Sequence, residues 1–304
     1  MRTGTVAETA GSKTNPMNTR KSGKTVEKNM IFDTHAHYDD EKFEPDREKI
    51  LASLYAAGID RVVNIGANMA TSRSTLALVE KHDFMRAAVG VHPEDIAELV
   101  PYADGTRGNA EEAARNFTEL QEAAKNEKVV MIGEIGLDYY WDKDHHAEQI
   151  EGFRKQIRLA LELGLPICVH SRDAAEDTYN VLKDEYDRAK ADGKRLRAII
   201  HCFAYSREMA DRFLAMGFLL GVGGVVTFKN SKKLKEVVRE VPLESLVLET
   251  DCPYLAPEPH RGERNSSAFL PLVADEIAKI KEISADEVIG VTRKNAERFL
   301  FDGE

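Results

Sequence analysis

Two histidines separated by one residue close a short apolar run in the stretch FDTHAHYDD, which begins at Phe32. Side chains at positions i and i+2 of a strand point the same way and lie about 6.6 Å apart along it. The imidazoles of His35 and His37 can therefore face one ion. Neutral imidazole is a good ligand for Zn, Mn or Fe, whereas a site made only of oxygen ligands suits Mg better. A lone histidine pair can be accidental, so the metal-site hypothesis depends on partners elsewhere in the chain.

Other residues of the ligand type lie at the ends of five further apolar runs. They are His92, Glu134, His170, His201 and Asp251. With His92 set aside, the first pair and the remaining residues make four histidines and two carboxylates, which is more than a single ion needs. Two ions about 3.5–4 Å apart, bridged by a carboxylate, would use all six. Glu134 lies between the two histidine groups in chain order, so it is the expected bridge.

Eight short apolar runs alternate with longer amphipathic stretches from Met30 onward. The apolar runs predict strands over residues 30–35, 61–67, 86–93, 129–138, 166–172, 197–203, 217–224 and 244–251. The amphipathic stretches predict helices over residues 46–58, 71–82, 110–126, 145–164, 175–193, 207–216, 231–241, 269–282 and 284–300. Nearly continuous apolar strands separated by helices indicate parallel strands that are covered by the helices.

Eight strand–helix repeats in about 275 residues fit a single-domain (β/α)8 TIM barrel of the α/β class better than an open doubly wound sheet. The carboxyl ends of the strands in such a barrel surround one mouth, where active sites lie. The six candidate ligands come from the ends of five different strands. Isolated histidines satisfied by backbone hydrogen bonds would not be expected to coincide in this way.

The overall composition limits the classes of function. The chain has 304 residues and a formal net charge of −10. This charge argues against a basic groove that binds nucleic acid, but not against an enzyme that meets one phosphate beside a bound metal. Three cysteines without close spacing fit a reducing compartment. No apolar run approaches the roughly 18 residues of a membrane helix, so we expect a cytoplasmic protein without a membrane partner.

Residues 1–29 are rich in Thr, Ser, Lys and Gly and lack the apolar segment of a signal peptide, so secretion is not expected. They are predicted to be a disordered N-terminal tail, unless the start is misassigned and translation begins at Met30. Residues 30–304 are predicted to form the barrel domain.

Seven motifs bear a family resemblance: FDTHAH, VGVHP, GEIGLDYYW, VHSRDA, HCF, ETDCPYLAPEPHRG and RKNAERFL. In this order, from Met30 to about Leu300, the chain resembles the TatD family of metal-dependent hydrolases. The resemblance implies a TIM barrel that holds two divalent cations (Mg, Mn or Zn) and acts as a deoxyribonuclease on phosphodiester bonds, with a metal-activated water as the nucleophile.

The resemblance also assigns the metal ligands. The first metal would be held by His35, His37, Glu134 and Asp251, and the second by Glu134, His170 and His201. The chain departs from the family pattern at Ala204 and Tyr205, where Ser-Gly is frequent, and in the run ERNSSAFL after Gly262. Both departures lie in loops and concern specificity rather than the metal ligands.

Several other residues are candidates for catalysis or substrate binding. Asp251 is predicted to accept the proton of the attacking water as general base, although it could be a ligand only. His92, Arg172 and Arg261 are candidates for contact with substrate phosphate, because a guanidinium matches phosphate oxygens well. The alternatives are a structural role in a rigid turn for His92, an ion pair with Asp173 or another acid for Arg172, and a solvated loop charge for Arg261.

Two further predictions concern residues around the ligands. Asp138 is predicted to orient a ligand histidine. A nucleic-acid base could stack on the run Tyr139–Trp141, but core or rim packing is expected for at least two of these three rings. Cys168 and Cys202 are expected to face away from the ligands and to pack.

Three functions remain open from the sequence. The first is a nuclease that removes nucleotides from single-stranded DNA ends, working as a monomer without an obligate protein partner. The second is an amide or ester hydrolase on the same two metals, such as an aminoacyl-tRNA deacylase. Related barrels with that chemistry often carry a metal-bridging lysine on strand four, where this chain has Glu134. The third is a non-catalytic binding barrel, against which the complete ligand set argues.

Overall fold

A computed structural model describes residue 1, residues 3–4 and residues 29–301. Most of the predicted tail over residues 1–29 lies outside the described residues. Eight parallel strands form one sheet, in which each strand pairs with the next one along the chain. The sheet closes through a parallel bridge between Ala36 and Cys252, beside which the His37 amide donates to the Cys252 carbonyl at 2.8 Å. The predicted (β/α)8 barrel is therefore confirmed.

The strands all lie within the predicted apolar runs or within two residues of them. They are β1 (Ile31–Ala36), β2 (Ile59–Ile65), β3 (Met85–Val89), β4 (Val129–Asp138), β5 (Ile167–Arg172), β6 (Ala198–Ile200), β7 (Leu219–Val222) and β8 (Leu246–Leu248). The α-helices are α1 (Arg47–Ser53), α2 (Met69–Val79), α3 (Ala110–Ala123), α4 (His146–Leu163), α5 (Ala175–Ala191), α6 (Arg207–Leu214), α7 (Lys232–Glu240), α8 (Leu270–Lys281) and α9 (Ala285–Phe301). Among the helices described, we find none whose length and apolarity would suffice to span a membrane.

Five of the strands end earlier than predicted, and the differences at β6 and β8 matter for the mouth of the barrel. His201 lies one residue beyond β6, and Asp251 lies three residues beyond β8. Cys202 and Asp251 have φ angles of 45° and 57°, in the left-handed region that residues other than glycine rarely adopt. His201 and Asp251 therefore lie on irregular backbone just after the paired part of their strands.

The barrel interior is filled by apolar side chains from alternate positions of the strands. It includes Phe32, Ile65, Met131, Cys168 and Ile199, and Phe299 and Leu300 of α9 join the same cluster. The prediction that Cys168 faces away from the ligands is wrong, since it lies two residues before His170 and so points to the same side of β5. Its sulfur is 3.3 Å from Nδ1 of His35. Cys168 packs directly beneath the candidate site.

A buried carboxylate ties α5 to α4 on the outside of the barrel. Oε1 of Glu185, whose side chain is 2% exposed, accepts hydrogen bonds from Nη1 of Arg154 at 3.0 Å and Nη2 of Arg158 at 2.9 Å. Burial alone would raise the pKa of Glu185, but Arg158 and Arg154 hold it below its usual value of 4.5. The pair of helices therefore depends on an ionised Glu185.

Replacing Glu185 by Gln should lower the free energy of unfolding by about 1–2 kcal/mol at neutral pH, because charge-assisted hydrogen bonds are weakened. Because the pKa of Glu185 is lower in the folded protein than in the unfolded chain, the ionised carboxylate stabilises the fold at pH values above the unfolded pKa of 4.5. This stabilisation is lost as the pH falls through the folded-state pKa. Urea unfolding of both proteins should therefore show the difference shrinking below pH 4.5. Asp184→Asn is the control, because this exposed partner of Arg154 should matter by less than about 0.5 kcal/mol.

Candidate metal centre and active site

Two histidines and two carboxylates converge on one side of the barrel mouth. The Nε2 atoms of His35 and His37 are 3.0 Å apart. Oδ1 of Asp251 lies 3.4 Å from Nε2 of His37 and 3.7 Å from Nε2 of His35. Oε2 of Glu134 lies 3.5 Å from Nε2 of His35 and 3.9 Å from Nε2 of His37. These are the four residues predicted to share the first ion.

The other oxygen of Glu134 faces a second group of histidines. Its Oε1 is 2.9 Å from Nδ1 of His170, 3.9 Å from Nε2 of His201 and 4.0 Å from Nε2 of His92. Glu134 is buried and has one oxygen toward each group. This is the geometry that a bridging carboxylate requires, so the site brings all six predicted ligands together.

The chemistry of these donors fits divalent cations. Ligand atoms of His35, His37 and Asp251 all lie within 4.8 Å of one another, as do those of His92, Glu134 and His170. Two imidazole nitrogens face each other at 3.0 Å beside buried carboxylates, an arrangement that calls for positive charge between them.

The acid–base state of the cluster agrees with this need for positive charge. Burial alone would lower the pKa of His37, but the hydrogen bond and charge of Asp251 raise it to about 9. Burial alone would raise the pKa of Glu134, but His201 and His35 hold it well below its usual value. The carboxylates therefore stay ionised, and binding of a cation would release protons from the histidines.

The ring of His92 is held neutral, and the pKa of His35 is likewise lowered by its burial. Burial and the neighbouring His170 lower the pKa of His92 to about 3. Nδ1 of His92 accepts a hydrogen bond from the Glu94 amide at 3.2 Å. The proton of the neutral ring therefore resides on Nε2, which faces Glu134 and the centre. His92 presents a hydrogen-bond donor to this side of the site.

Asp138 connects a ligand candidate to the loop that follows β4. Its Oδ2 accepts from Nε2 of His170 at 3.0 Å, which is the orienting contact predicted for it. Its Oδ1 accepts from the backbone amides of Tyr140 and Trp141, both at 2.9 Å. The buried carboxylate thus fixes a ligand ring and the loop backbone at the same time.

Glu249 occupies the corresponding position behind His201, and the sequence reasoning missed it. Its side chain is buried, and Oε1 lies 3.0 Å from Nδ1 of His201 and accepts from the Cys202 amide at 2.6 Å. Gly221 provides the space, because a Cβ there would lie 2.1 Å from Oε2 of Glu249. Glu249 lies one residue beyond β8, where the alternation of a strand no longer applies, so the sequence pattern carried no signal for its place behind His201.

Replacing Glu249 by Gln should weaken metal binding by about 10- to 100-fold, because the carboxylate no longer orients and polarises His201. Gly221→Ala should have a similar effect by displacing the same carboxylate. Isothermal titration of the chelated protein with Mn or Zn measures both. Glu244→Gln, an exposed residue upstream on the same segment, is the control. Unchanged affinity in both test variants would remove Glu249 from the support of the site.

The predicted phosphate contacts lie on the rim of the mouth. The guanidinium of Arg172 is exposed, and the described part of the chain places no carboxylate within 4.0 Å of it, so the alternative of an ion pair with Asp173 or another acid is not found. Arg261 is also exposed and lies 4.3 Å from the centre of the Phe228 ring. Arg264, a further cation of this loop, is instead bound to Asp46 through two hydrogen bonds of 2.8 and 2.7 Å.

The aromatic run after β4 has one ring packed behind the loop and two rings at the rim. Tyr139 packs against the His146 ring, and its hydroxyl donates to Asp177 at 2.9 Å. Tyr140 and Trp141, by contrast, are 45% and 61% exposed. Only Tyr139 packs behind the loop, whereas Tyr140 and Trp141 meet each other edge to face at the rim, an arrangement that agrees with the core or rim packing expected for at least two of the three rings.

The chain resembles known proteins over almost all of the barrel. It matches the family model of the TatD related DNases over residues 32–301. The YabD protein of Bacillus subtilis (strain 168), described as an uncharacterized metal-dependent hydrolase, is 42% identical over 271 residues, which cover 89% of this chain and 99% of that protein. A protein of Erwinia tasmaniensis named 3'-5' ssDNA/RNA exonuclease TatD is 30% identical over 276 residues, which cover 89% of this chain and 99% of that one.

A solved structure agrees with these sequence similarities. The crystal structure of YJJV, a TatD homolog from Escherichia coli K12, matches with a TM-score of 0.78 at 28% identity, over 90% of this chain and 98% of that one. The matched region contains every candidate ligand, and the resemblance inferred from the seven motifs is confirmed. The chain belongs to the TatD family of metal-dependent hydrolases.

Proposed function

We propose that this chain is a divalent-metal-dependent deoxyribonuclease that removes nucleotides from the ends of single-stranded DNA. The observation that carries the proposal is the buried Glu134, whose two oxygens face different histidines of the ligand cluster at the barrel mouth, Oε2 facing His35 and Oε1 facing His170. Two-metal sites of this kind suit hydrolysis of a phosphodiester, because two ions can stabilise both the attacking and the leaving oxygen of an in-line displacement at phosphorus. The relative from Erwinia tasmaniensis, which is named a single-stranded DNA and RNA exonuclease, supports the choice of bond and substrate.

The six ligand candidates would hold two cations of Mg, Mn or Zn. His35, His37, Glu134 and Asp251 would hold the first; Glu134, His170 and His201 would hold the second. Bound there, the ions supply Lewis acidity that activates water and offsets the charge of the phosphate. The buried walls around Glu134 hold the ligands in place, so little reorganisation is needed during the reaction.

Asp251 is the proposed proton acceptor for the attacking water. Its side chain is 20% exposed, so one carboxylate reaches both the histidines and the open mouth. His37 and His201 hold the pKa of Asp251 below its usual value despite burial, so the carboxylate is ionised and able to accept. Ligand and general base are compatible roles for two oxygens of one group.

The substrate phosphate would be held by neutral and cationic donors around the centre. Nε2–H of His92 faces the site and can donate to a phosphate oxygen or to the leaving oxygen. Arg172, which has no carboxylate partner within 4.0 Å among the described residues, can take phosphate oxygens with its planar fork. Arg261, in the loop after β8 at the rim of the mouth, would contact the DNA backbone at a greater distance from the centre.

A panel of substrates tests this function. The wild-type enzyme is incubated with Mg or Mn and with single-stranded DNA, duplex DNA or RNA, each labelled at one end, and with an aminoacyl ester of transfer RNA. We expect a ladder of shortened single-stranded DNA, formed faster than products from duplex DNA. Release of amino acid without shortening of any nucleic acid would instead establish the ester hydrolase. Metal-loaded enzyme that acts on none of these substrates would contradict the proposal.

A further inference from the structure

Exposed aromatic rings are concentrated at the mouth of the barrel. Tyr140 and Trp141 follow β4 directly, and Tyr254 lies in the loop after β8. Of the other exposed aromatic residues in the described part of the chain, Tyr55 lies just before β2 and Phe301 at the end of α9, both at the opposite end of the barrel. Rings left in water beside a catalytic centre need an explanation other than core packing.

The two rings after β4 share their surface with a cation. The guanidinium carbon of Arg172 lies 4.1 Å from the centre of the Tyr140 ring and 5.5 Å from that of Trp141. The rings of Tyr140 and Trp141 meet edge to face, with an angle of 87° between their planes. A π-face and a positive charge side by side are the two elements that proteins use for single-stranded nucleic acids.

The backbone that carries these rings is held beside the centre by Asp138. One oxygen of this carboxylate holds His170, and the other accepts from the amides of Tyr140 and Trp141. The backbone that carries the rings is therefore joined through one carboxylate to a candidate ligand of the second ion. A nucleotide stacked there would have its neighbouring phosphate directed toward the centre.

We propose that Tyr140, Trp141 and Arg172 form a stacking platform for an unpaired base next to the scissile phosphodiester. This inference rests on the proposed nuclease function and names the structural feature that selects single strands. A base inside a duplex has both faces covered, so it cannot stack on a protein ring without leaving the helix. Every base has a π-face, so the platform accepts any sequence.

The platform also accounts for binding to a polyanion by a chain with a net charge of −10. Such a chain lacks the surplus of cations that usually provides affinity for a nucleic-acid backbone. Base stacking supplies affinity that does not depend on net charge. A weak dependence of binding on salt concentration follows from this arrangement.

The single tryptophan of the chain gives a direct readout. A phosphorothioate-linked oligothymidylate of eight residues, which resists hydrolysis, is titrated into the Mg-loaded wild-type enzyme while Trp141 fluorescence is recorded. Stacking should quench this fluorescence. A chain of the same length built from abasic tetrahydrofuran residues keeps the charge and lacks the bases, so it should cause little quenching. Equal quenching by both chains would overturn the proposal.

Kinetics with variants provides the second readout. Trp141→Ala should raise KM for single-stranded DNA roughly 10- to 100-fold, the loss expected from one base–aromatic stack, with a smaller change in kcat. Trp141→Phe keeps a π-face and should stay within a few-fold of wild type. Tyr55→Ala, an exposed aromatic at the other end of the barrel, is the matched control and should change nothing. An unchanged KM in Trp141→Ala would refute the platform and leave the proposed nuclease function standing. Fluorescence quenching by the oligonucleotide without cleavage of ordinary DNA would refute the nuclease function alone.

Discussion

Replacing Glu134 by Ala should release at least one of the two cations and reduce turnover on a phosphodiester by about 10³-fold or more. Glu134 is the only residue of the six whose two donor atoms face both ligand groups, so its loss disturbs both ions at once. Metal sites contribute several kcal/mol to transition-state stabilisation, and each 1.36 kcal/mol corresponds to about tenfold in rate. Metal content by elemental analysis and turnover on a chromogenic phosphodiester measure the two effects.

The matched control for this variant is Asp144→Asn. Asp144 is an exposed carboxylate in the β4–α4 loop, near the mouth but without a contact to the ligands. We expect its metal content and turnover to equal those of wild type. Full metal content and near-normal turnover in Glu134→Ala, with the fold intact by circular dichroism, would show that the carboxylate does not bridge.

Replacing Asp251 by Asn should leave much of the metal bound and reduce kcat by about 10²- to 10⁴-fold. General bases contribute to rate by this amount, and an amide cannot accept the proton of the attacking water. The change is also compatible with the backbone, because Asp251 has a φ of 57° and asparagine tolerates this left-handed region as well as aspartate does. His35, His37 and Glu134 remain to hold the first ion.

Metal titration and single-turnover kinetics separate the two roles of Asp251. Bound metal with lost turnover supports a general base. A loss of turnover that is restored by raising the metal concentration identifies Asp251 as a ligand only. Normal turnover at ordinary metal concentration would remove Asp251 from the mechanism.

The sequence predicted the barrel and the ligand set for physical reasons that are local. Near-continuous apolar strands between amphipathic helices are compatible with few architectures, so the order of the elements determines the fold. The barrel then places every strand end at one mouth, and residues such as His35, Glu134 and His170 need only lie at those ends to meet. Distances of 2.9–3.5 Å between their donor atoms follow from that placement.

The remaining features depend on packing between distant segments. Glu249 is buried behind His201 only because β7 carries Gly221 opposite it. Trp141 is exposed because Tyr139 takes the packing position against His146, and nothing in the run YYW distinguishes the three rings beforehand. Arg264 pairs with Asp46 from a segment more than two hundred residues away. Propensity and periodicity do not report such contacts.

The central claim, that paired cations held by these ligands cleave DNA, is tested most directly by returning metal to a chelated enzyme. End-labelled single-stranded DNA is incubated with metal-free wild-type protein, and Mg or Mn is then added in steps while the products are resolved by length. We predict no shortening without metal, and a nucleotide ladder that saturates as two equivalents of Mn bind per chain. Digestion that proceeds in the metal-free protein, or a fully loaded protein that leaves the DNA intact, would contradict the account.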